Sequence, residues 1–192
     1  GWVTTMITKD ELAGIVDVLG ASTIGEIHLI VQEHAEIRRL EVVGLADVEQ
    51  LCQSALDEHL IETVSFEEVE GADSDETYYI SGPNAFPDIP YELSEIIDIL
   101  ELSKREVDMS KVAKSFSSRL KQRAKRLNEK IDMFSDGSVP DSDILKLEQR
   151  YSDLLNLYYD YDFWLPGGIS DIEDTILGVS ERLEQLKSAQ VI

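Results

Sequence analysis

Between Leu45 and Pro83 the chain changes its hydrophobic period once, and the rest of the fold has to accommodate that change. Leu45, Val48, Leu51, Cys52, Ala55, Leu56 and Leu60 recur at steps of three and four, so they share one face of a helix. Ile61, Val64, Phe66 and Val69, then Tyr78 and Ile80, read instead as two short strands rich in β-branched and aromatic residues. Between them Glu70-Gly71-Ala72-Asp73-Ser74-Asp75 supplies the Gly and Asp that hairpin turns favour. An isolated hairpin is marginal in water, so this helix and hairpin need other elements to cover their apolar faces.

Those elements are legible upstream. Thr8-Lys9-Asp10-Glu11 is a capping box, in which a Thr oxygen and a Glu carboxylate three residues on satisfy orphan helix amides. The helix it opens carries Leu12, Ile15, Val16 and Leu19 and stops at Gly20. Thr23-Ile24-Gly25-Glu26 is a second box, opening a helix with Ile24, Ile27, Leu29, Ile30, Val31 and Ile37. Downstream, Pro83, Pro87 and Pro90 mark residues 83–91 as a linker, and the pattern then turns helical. Leu93, Ile96, Ile97 and Leu100 form one stripe, with a break expected near Asp108. Met109, Val112, Phe116, Leu120, Ala124, Leu127, Ile131 and Phe134 step by three or four along one long helix. Ser135-Asp136-Gly137-Ser138-Val139-Pro140 reads as a turn into a second long helix to about Leu165, antiparallel to the first. Ser170-Asp171-Ile172-Glu173 is a third capping box, starting a last helix.

Three helices and a hairpin over residues 8–82 resemble a winged helix-turn-helix domain. The expected fold is mainly α with a small β-hairpin: an N-terminal winged helix over 8–82, a linker over 83–91, and a helical dimerisation or interaction domain over 92–192 built on an antiparallel, coiled-coil-like extension. In outline this is similar to prokaryotic and archaeal winged-helix regulators that dimerise through C-terminal helices, PadR-like proteins among them. The resemblance implies a dimeric DNA-binding transcription regulator whose third helix enters the major groove. Gln50, Gln53 and Ser54 are then the best-placed base readers.

Charge complicates that implication. The chain of 192 residues has 39 acidic and 17 basic residues, a formal net charge of −22. This opposes non-specific contact with nucleic acid or an anionic membrane, and suits a halophilic protein, because concentrated salt screens self-repulsion. Residues 104–130 carry ten bases against three carboxylates, a formal +7, which leaves seven bases against 36 carboxylates, or −29, elsewhere. Lys111, Lys114, Arg119, Lys121, Arg123, Lys125 and Arg126 are the candidate phosphate contacts. Pairing of this run with carboxylates, within the chain or across a dimer, is the alternative reading. The third helix, by contrast, turns Asp47, Glu49, Asp57 and Glu58 outward beside its glutamines, and no Lys or Arg lies between Arg39 and Lys104. That pattern favours a winged-helix adaptor docking on another protein through its acidic face, the second functional reading.

Phe116, Leu120 and Leu127, with Tyr158, Tyr161 and Trp164 from the aromatic run Tyr158-Tyr159-Asp160-Tyr161-Asp162-Phe163-Trp164, are candidate dimer-interface residues; packing at the bundle end is the competing account. Glu67, Glu68, Glu70, Asp73, Asp75 and Glu76 alternate as in a calcium loop but lack the remaining EF-hand positions, so a solvated tip is expected. His28, His34 and His59 show no ligand spacing to one another, and Cys52 is the sole cysteine, on an apolar face. No metal or cofactor, no enzymatic activity and no membrane span is expected, and a cytoplasmic location follows from the absence of a signal-like segment.

Overall fold

The computed structural model describes residues 6–73, 75–134, 139–169 and 171–189. Residues 1–5 and 190–192, residues 135–138 of the expected turn, Ser74 of the acidic tip and Ser170 of the third capping box lie outside the described residues. The chain is mainly helical with one small antiparallel sheet, and it divides into two compact units, Gly1–Asp108 and Met109–Ile192.

The first unit comprises α1 (Lys9–Leu19), α2 (Ile24–Ile37), α3 (Leu45–Asp57), β1 (Ile61–Val64), β2 (Tyr78–Ser81) and α4 (Leu93–Ile99). Both upstream capping boxes form. Glu11 N–H donates to Thr8 Oγ1 and Thr8 N–H to Glu11 Oε1, each at 3.0 Å. The same exchange joins Thr23 and Glu26. Gly20, at φ 78°, closes α1 in a conformation that side chains resist. α3 begins without a side-chain cap, and Asp47 reaches back to accept from Gly44 N–H at 3.3 Å. Leu12, Ile15, Val16, Ile27, Ile30, Val48, Cys52, Ala55 and Ile61 meet in one core, as their spacing predicts.

β1 and β2 pair antiparallel with Ile61 opposite Ser81 and Val64 opposite Tyr78. Ser22, in the α1–α2 connection, bridges Tyr79 through two backbone hydrogen bonds of 3.0 and 2.8 Å. The hairpin is shorter than its sequence pattern suggests. Phe66 sits in a 3-10 turn, Phe66–Glu68, and Val69 bridges Val107 instead of β2. Hydrogen bonds from Glu70 N–H to Glu106 O and from Asp108 N–H to Glu68 O hold this loop against residues 106–108.

Residues 83–91 do not serve as a linker between units. Asn84 N–H donates to His59 O and Asp88 N–H to Asp10 O, while Gly14 leaves room for the Asp88 backbone, which a Cβ there would overlap. α4 then buries Leu93 and Ile96 in the first core. The prolines shape a strap across the first unit, and the division falls between Asp108 and Met109.

The second unit comprises α5 (Met109–Asp132), α6 (Asp141–Trp164) and α7 (Glu173–Ala189), each packed on the other two. The α5 stripe of Val112, Phe116, Leu120, Ala124, Leu127 and Ile131 is buried throughout, as are Ile144, Leu147, Leu154, Leu157, Tyr158 and Tyr161 of α6. A narrow two-helix seam was the expectation. α7 instead adds Ile176, Val179, Leu183 and Leu186 and makes a three-helix core. No helix among the described residues is long and apolar enough to cross a membrane.

Candidate functional site

The basic residues of α5 are organised by helical period into two outward rows. Arg119, Arg123, Arg126 and Lys130 stand at i, i+4, i+7 and i+11, one row spanning about 16 Å at 1.5 Å per residue. Lys114, Lys121 and Lys125 form the second row on the opposite flank of the buried stripe, with Lys111 beside it. Lys111, Lys114, Lys121, Arg123, Lys125 and Arg126 are all exposed. Arg119 is half-buried, its guanidinium 4.3 Å from the centroid of the Phe116 ring.

The arginine row runs along the α5–α6 groove. There Arg123, Arg126 and Leu127 of α5 meet Arg150, Asp153 and Leu154 of α6 around a cavity of about 180 Å³. A second cavity of about 230 Å³ follows along the same groove, where Lys130 faces Asp143, Lys146 and Arg150. Lys146 and Arg150, at i and i+4, were not among the residues singled out from sequence. They lie beyond the turn, in a helix rich in carboxylates, so local charge counting passes over them. The available signal was register: an antiparallel α6 brings the residues around Leu147 and Leu154 opposite those around Leu127.

What these cations contact distinguishes them from most of the bases outside α5 and α6. Among the described residues Lys9 pairs with Glu58, Arg38 with Glu92, Arg105 with Glu26 and Asp73, Arg182 with Asp132, and Lys187 with Glu148 and Glu184. Arg105 is the most engaged. It donates to Ala21 O and to both Glu26 oxygens and lies over the Tyr78 ring at 5.0 Å; the hydrogen bond to Glu26, above all, holds its guanidinium above its usual pKa. In contrast, Lys114, Lys121, Arg123, Lys125, Arg126, Lys146 and Arg150 form no ion pair with a described carboxylate. Internal charge pairing with described carboxylates therefore does not account for these seven.

α3 offers a different surface. Gln50 and Gln53 are exposed and Ser54 is half-buried. Gln53 donates to Asp57 Oδ1 at 3.0 Å, so its amide is engaged along the helix. Gln50 and Ser54 border a shallow hollow of about 440 Å³ with Glu41, Val42, Asp47 and Leu51, and no Lys or Arg lines it. The three expected base readers thus share a face with carboxylates, while the phosphate candidates belong to the other unit.

The expected dimer residues lie elsewhere than at a surface. Phe116, Leu120, Leu127, Tyr158 and Tyr161 are buried within the three-helix core of a single chain, because α7 closes over the α5–α6 pair. Trp164 is half-buried, with its ring centroid 5.8 Å from Phe116 and 6.2 Å from Tyr161. Tyr158 donates to Glu173 at 3.0 Å, and burial pushes its hydroxyl up to about 12. Within the run 158–164, the aromatics that do reach the surface are Tyr159, 59% exposed, and Phe163, 94% exposed.

Burial, aided by Glu49, pushes the Cys52 thiol up to about 12, so it holds its proton at neutral pH. His28 Nε2 lies 3.1 Å from Val43 O and His59 Nδ1 lies 2.6 Å from Glu62. No group of three His, Cys, Asp or Glu side chains among the described residues is placed to hold a metal ion.

No curated protein and no solved structure matches the chain. One family model does, over residues 10–181, which reach across both compact units, and the protein accordingly belongs to DUF7109, a family of unknown function.

Proposed function

We propose that the protein is a dimeric DNA-binding regulator of winged-helix type, in which the helical unit rather than α3 supplies the phosphate contacts. Support for the winged-helix arrangement comes from the order α1–α2–α3–β1–β2, the antiparallel register of the hairpin, and the Ser22–Tyr79 bridge that ties the α1–α2 connection to it. The observation that carries the proposal is the row Arg119, Arg123, Arg126 and Lys130, whose exposed members Arg123 and Arg126 pair with no described carboxylate in a chain that is otherwise −29. Phosphates are the polyanion such a row fits, since each contact releases condensed counterions.

The test is fluorescence anisotropy with random-sequence duplex DNA from low to molar salt, with oligomeric mass measured alongside. Four to six phosphate contacts predict a slope of about −4 to −5 in log affinity against log salt. Combined Lys121→Glu, Arg123→Glu and Arg126→Glu should abolish binding and leave helical content and oligomeric mass unchanged. Absence of binding by the unmodified protein at every salt concentration, or equal binding by the variant, would overturn the proposal.

A second reading, an adaptor that docks on another protein, is favoured by one observation. The outward face of α3 presents Asp47, Glu49 and Asp57, with Asp47 lining the same hollow as Val42, which is 89% exposed. In that reading the triple reversal breaks an assembly rather than DNA binding, and the mass measurement separates the two.

A further inference from the structure

We infer that the α5–α6 cleft is a discrete site for a phosphate group, held by Arg123 and Arg126 from α5 and Arg150 from α6. The inference rests on the reading of α5 as a phosphate-binding surface, and it adds a defined pocket and a residue from a second helix. The phosphate is either one of a nucleic-acid backbone or a free phosphate or phosphoester, since the recognition chemistry is the same.

Three features point to a tetrahedral anion. The lining brings three guanidinium groups together with a single carboxylate, Asp153, which already accepts from Gln149 at 2.9 Å. Guanidinium groups are planar forks that match phosphate oxygens two at a time, and clustering them without an anion leaves like charges facing one another. Part of the lining is apolar: Leu127 and Leu154 are buried, so a charge seated against them is less screened than one on an open helix face. The cavity of about 180 Å³ admits a phosphate group with its waters and falls short of the ~300 Å³ at which pockets for larger organic ligands begin.

Arg150 also lines the next cavity along the groove, with Lys130 and Lys146. It therefore stands between two cation sets, where a phosphodiester strand following the groove would place successive phosphates. The sugar–phosphate backbone fits this arrangement better than a single carboxylate ligand, which would leave the second set unused.

The experiment compares the unmodified protein with Arg150→Gln and with Arg39→Gln, an equal charge change outside the groove. Thermal unfolding is followed while inorganic phosphate replaces chloride at constant ionic strength, and duplex DNA affinity is measured across salt. The expected result is a saturable rise in Tm with phosphate for the unmodified protein and Arg39→Gln, lost in Arg150→Gln. A DNA salt slope shallower by about one in Arg150→Gln should accompany it. A phosphate effect lost in Arg150→Gln, with no DNA binding by any form, supports the pocket as a site for free phosphate and overturns only the DNA reading. Equal phosphate responses in all three proteins, or no response together with unchanged DNA binding by Arg150→Gln, overturn the pocket while the DNA reading stands.

Discussion

Glu92 shows how a single carboxylate joins two distant parts of the chain. Arg38, at the end of α2, donates from Nε to Glu92 Oε1 at 2.8 Å and from Nη2 to Oε2 at 3.4 Å, while His34 Nε2 lies 3.8 Å away. The hydrogen bond from Arg38 is the main cause that holds the Glu92 carboxyl below its ordinary value of 4.5; its partial burial works the other way. A depressed carboxyl binds fewer protons folded than unfolded at acid pH. Its contribution is therefore complete above about pH 4.5 and lost as pH falls through the folded pKa. Replacing Arg38 with Met should move the Glu92 pKa back toward 4.5 or higher and flatten the acid limb of stability between about pH 5 and 3. Carboxyl-detected NMR titration of Glu92, with urea midpoints at each pH, checks both. An unshifted Glu92 titration would show that Arg38 does not hold it. None of this was legible in sequence, because the partners are 54 residues apart and the prolines before Glu92 looked like a break between domains.

Elements were easier to read than their partners. Capping boxes at Thr8 and Thr23, the α5 stripe and the long α6 were legible because each depends on spacing within a few turns. The fate of the stripe was not, because one apolar face satisfies a second chain as well as a third helix. Within one chain α7 covers it, and Phe116 becomes the pivot, fully buried with its ring centroid 4.9 Å from that of Tyr161. Phe116→Ala should destabilise the second unit by about 3–5 kcal/mol, the usual cost of deleting a buried aromatic ring. Urea unfolding followed by circular dichroism measures this. A loss below about 1 kcal/mol would mean that the rings around Phe116 close the gap or that the α5–α6–α7 core is not as packed. The strand pattern failed for a similar reason. Val69 has the β-branched character of a hairpin residue, yet its partner is Val107, a contact that only tertiary folding supplies.

Taken as a whole, the chain is strongly anionic and carries, along the α5–α6 groove, cations without a described carboxylate partner, and salt acts on these two features in opposite directions. Net repulsion from −22 charges should weaken folding at low ionic strength, where the Debye length is about 10 Å at 0.1 M, and fade as it falls to about 3 Å at 1 M. Groove contacts with phosphates should weaken over the same range, by counterion release. The sequence exposes the charge imbalance between residues 104–130 and the remainder, and so half of the candidate site. It does not expose Lys146 and Arg150, because their alignment with Arg123 and Arg126 is a property of helix pairing. The prediction at this scale is that the urea midpoint rises with KCl, most steeply between 0.1 and 1 M, while duplex DNA affinity falls across the same interval. Screening and preferential exclusion are separated by their limits: screening saturates once the Debye length is shorter than the charge spacing, whereas exclusion of a kosmotropic salt continues to rise. A urea midpoint independent of KCl would show that the carboxylates are spaced widely enough to cost the fold little. Binding that survives molar salt would then require contacts beyond phosphate charge, and the pocket at Arg150 is the first place to look for them.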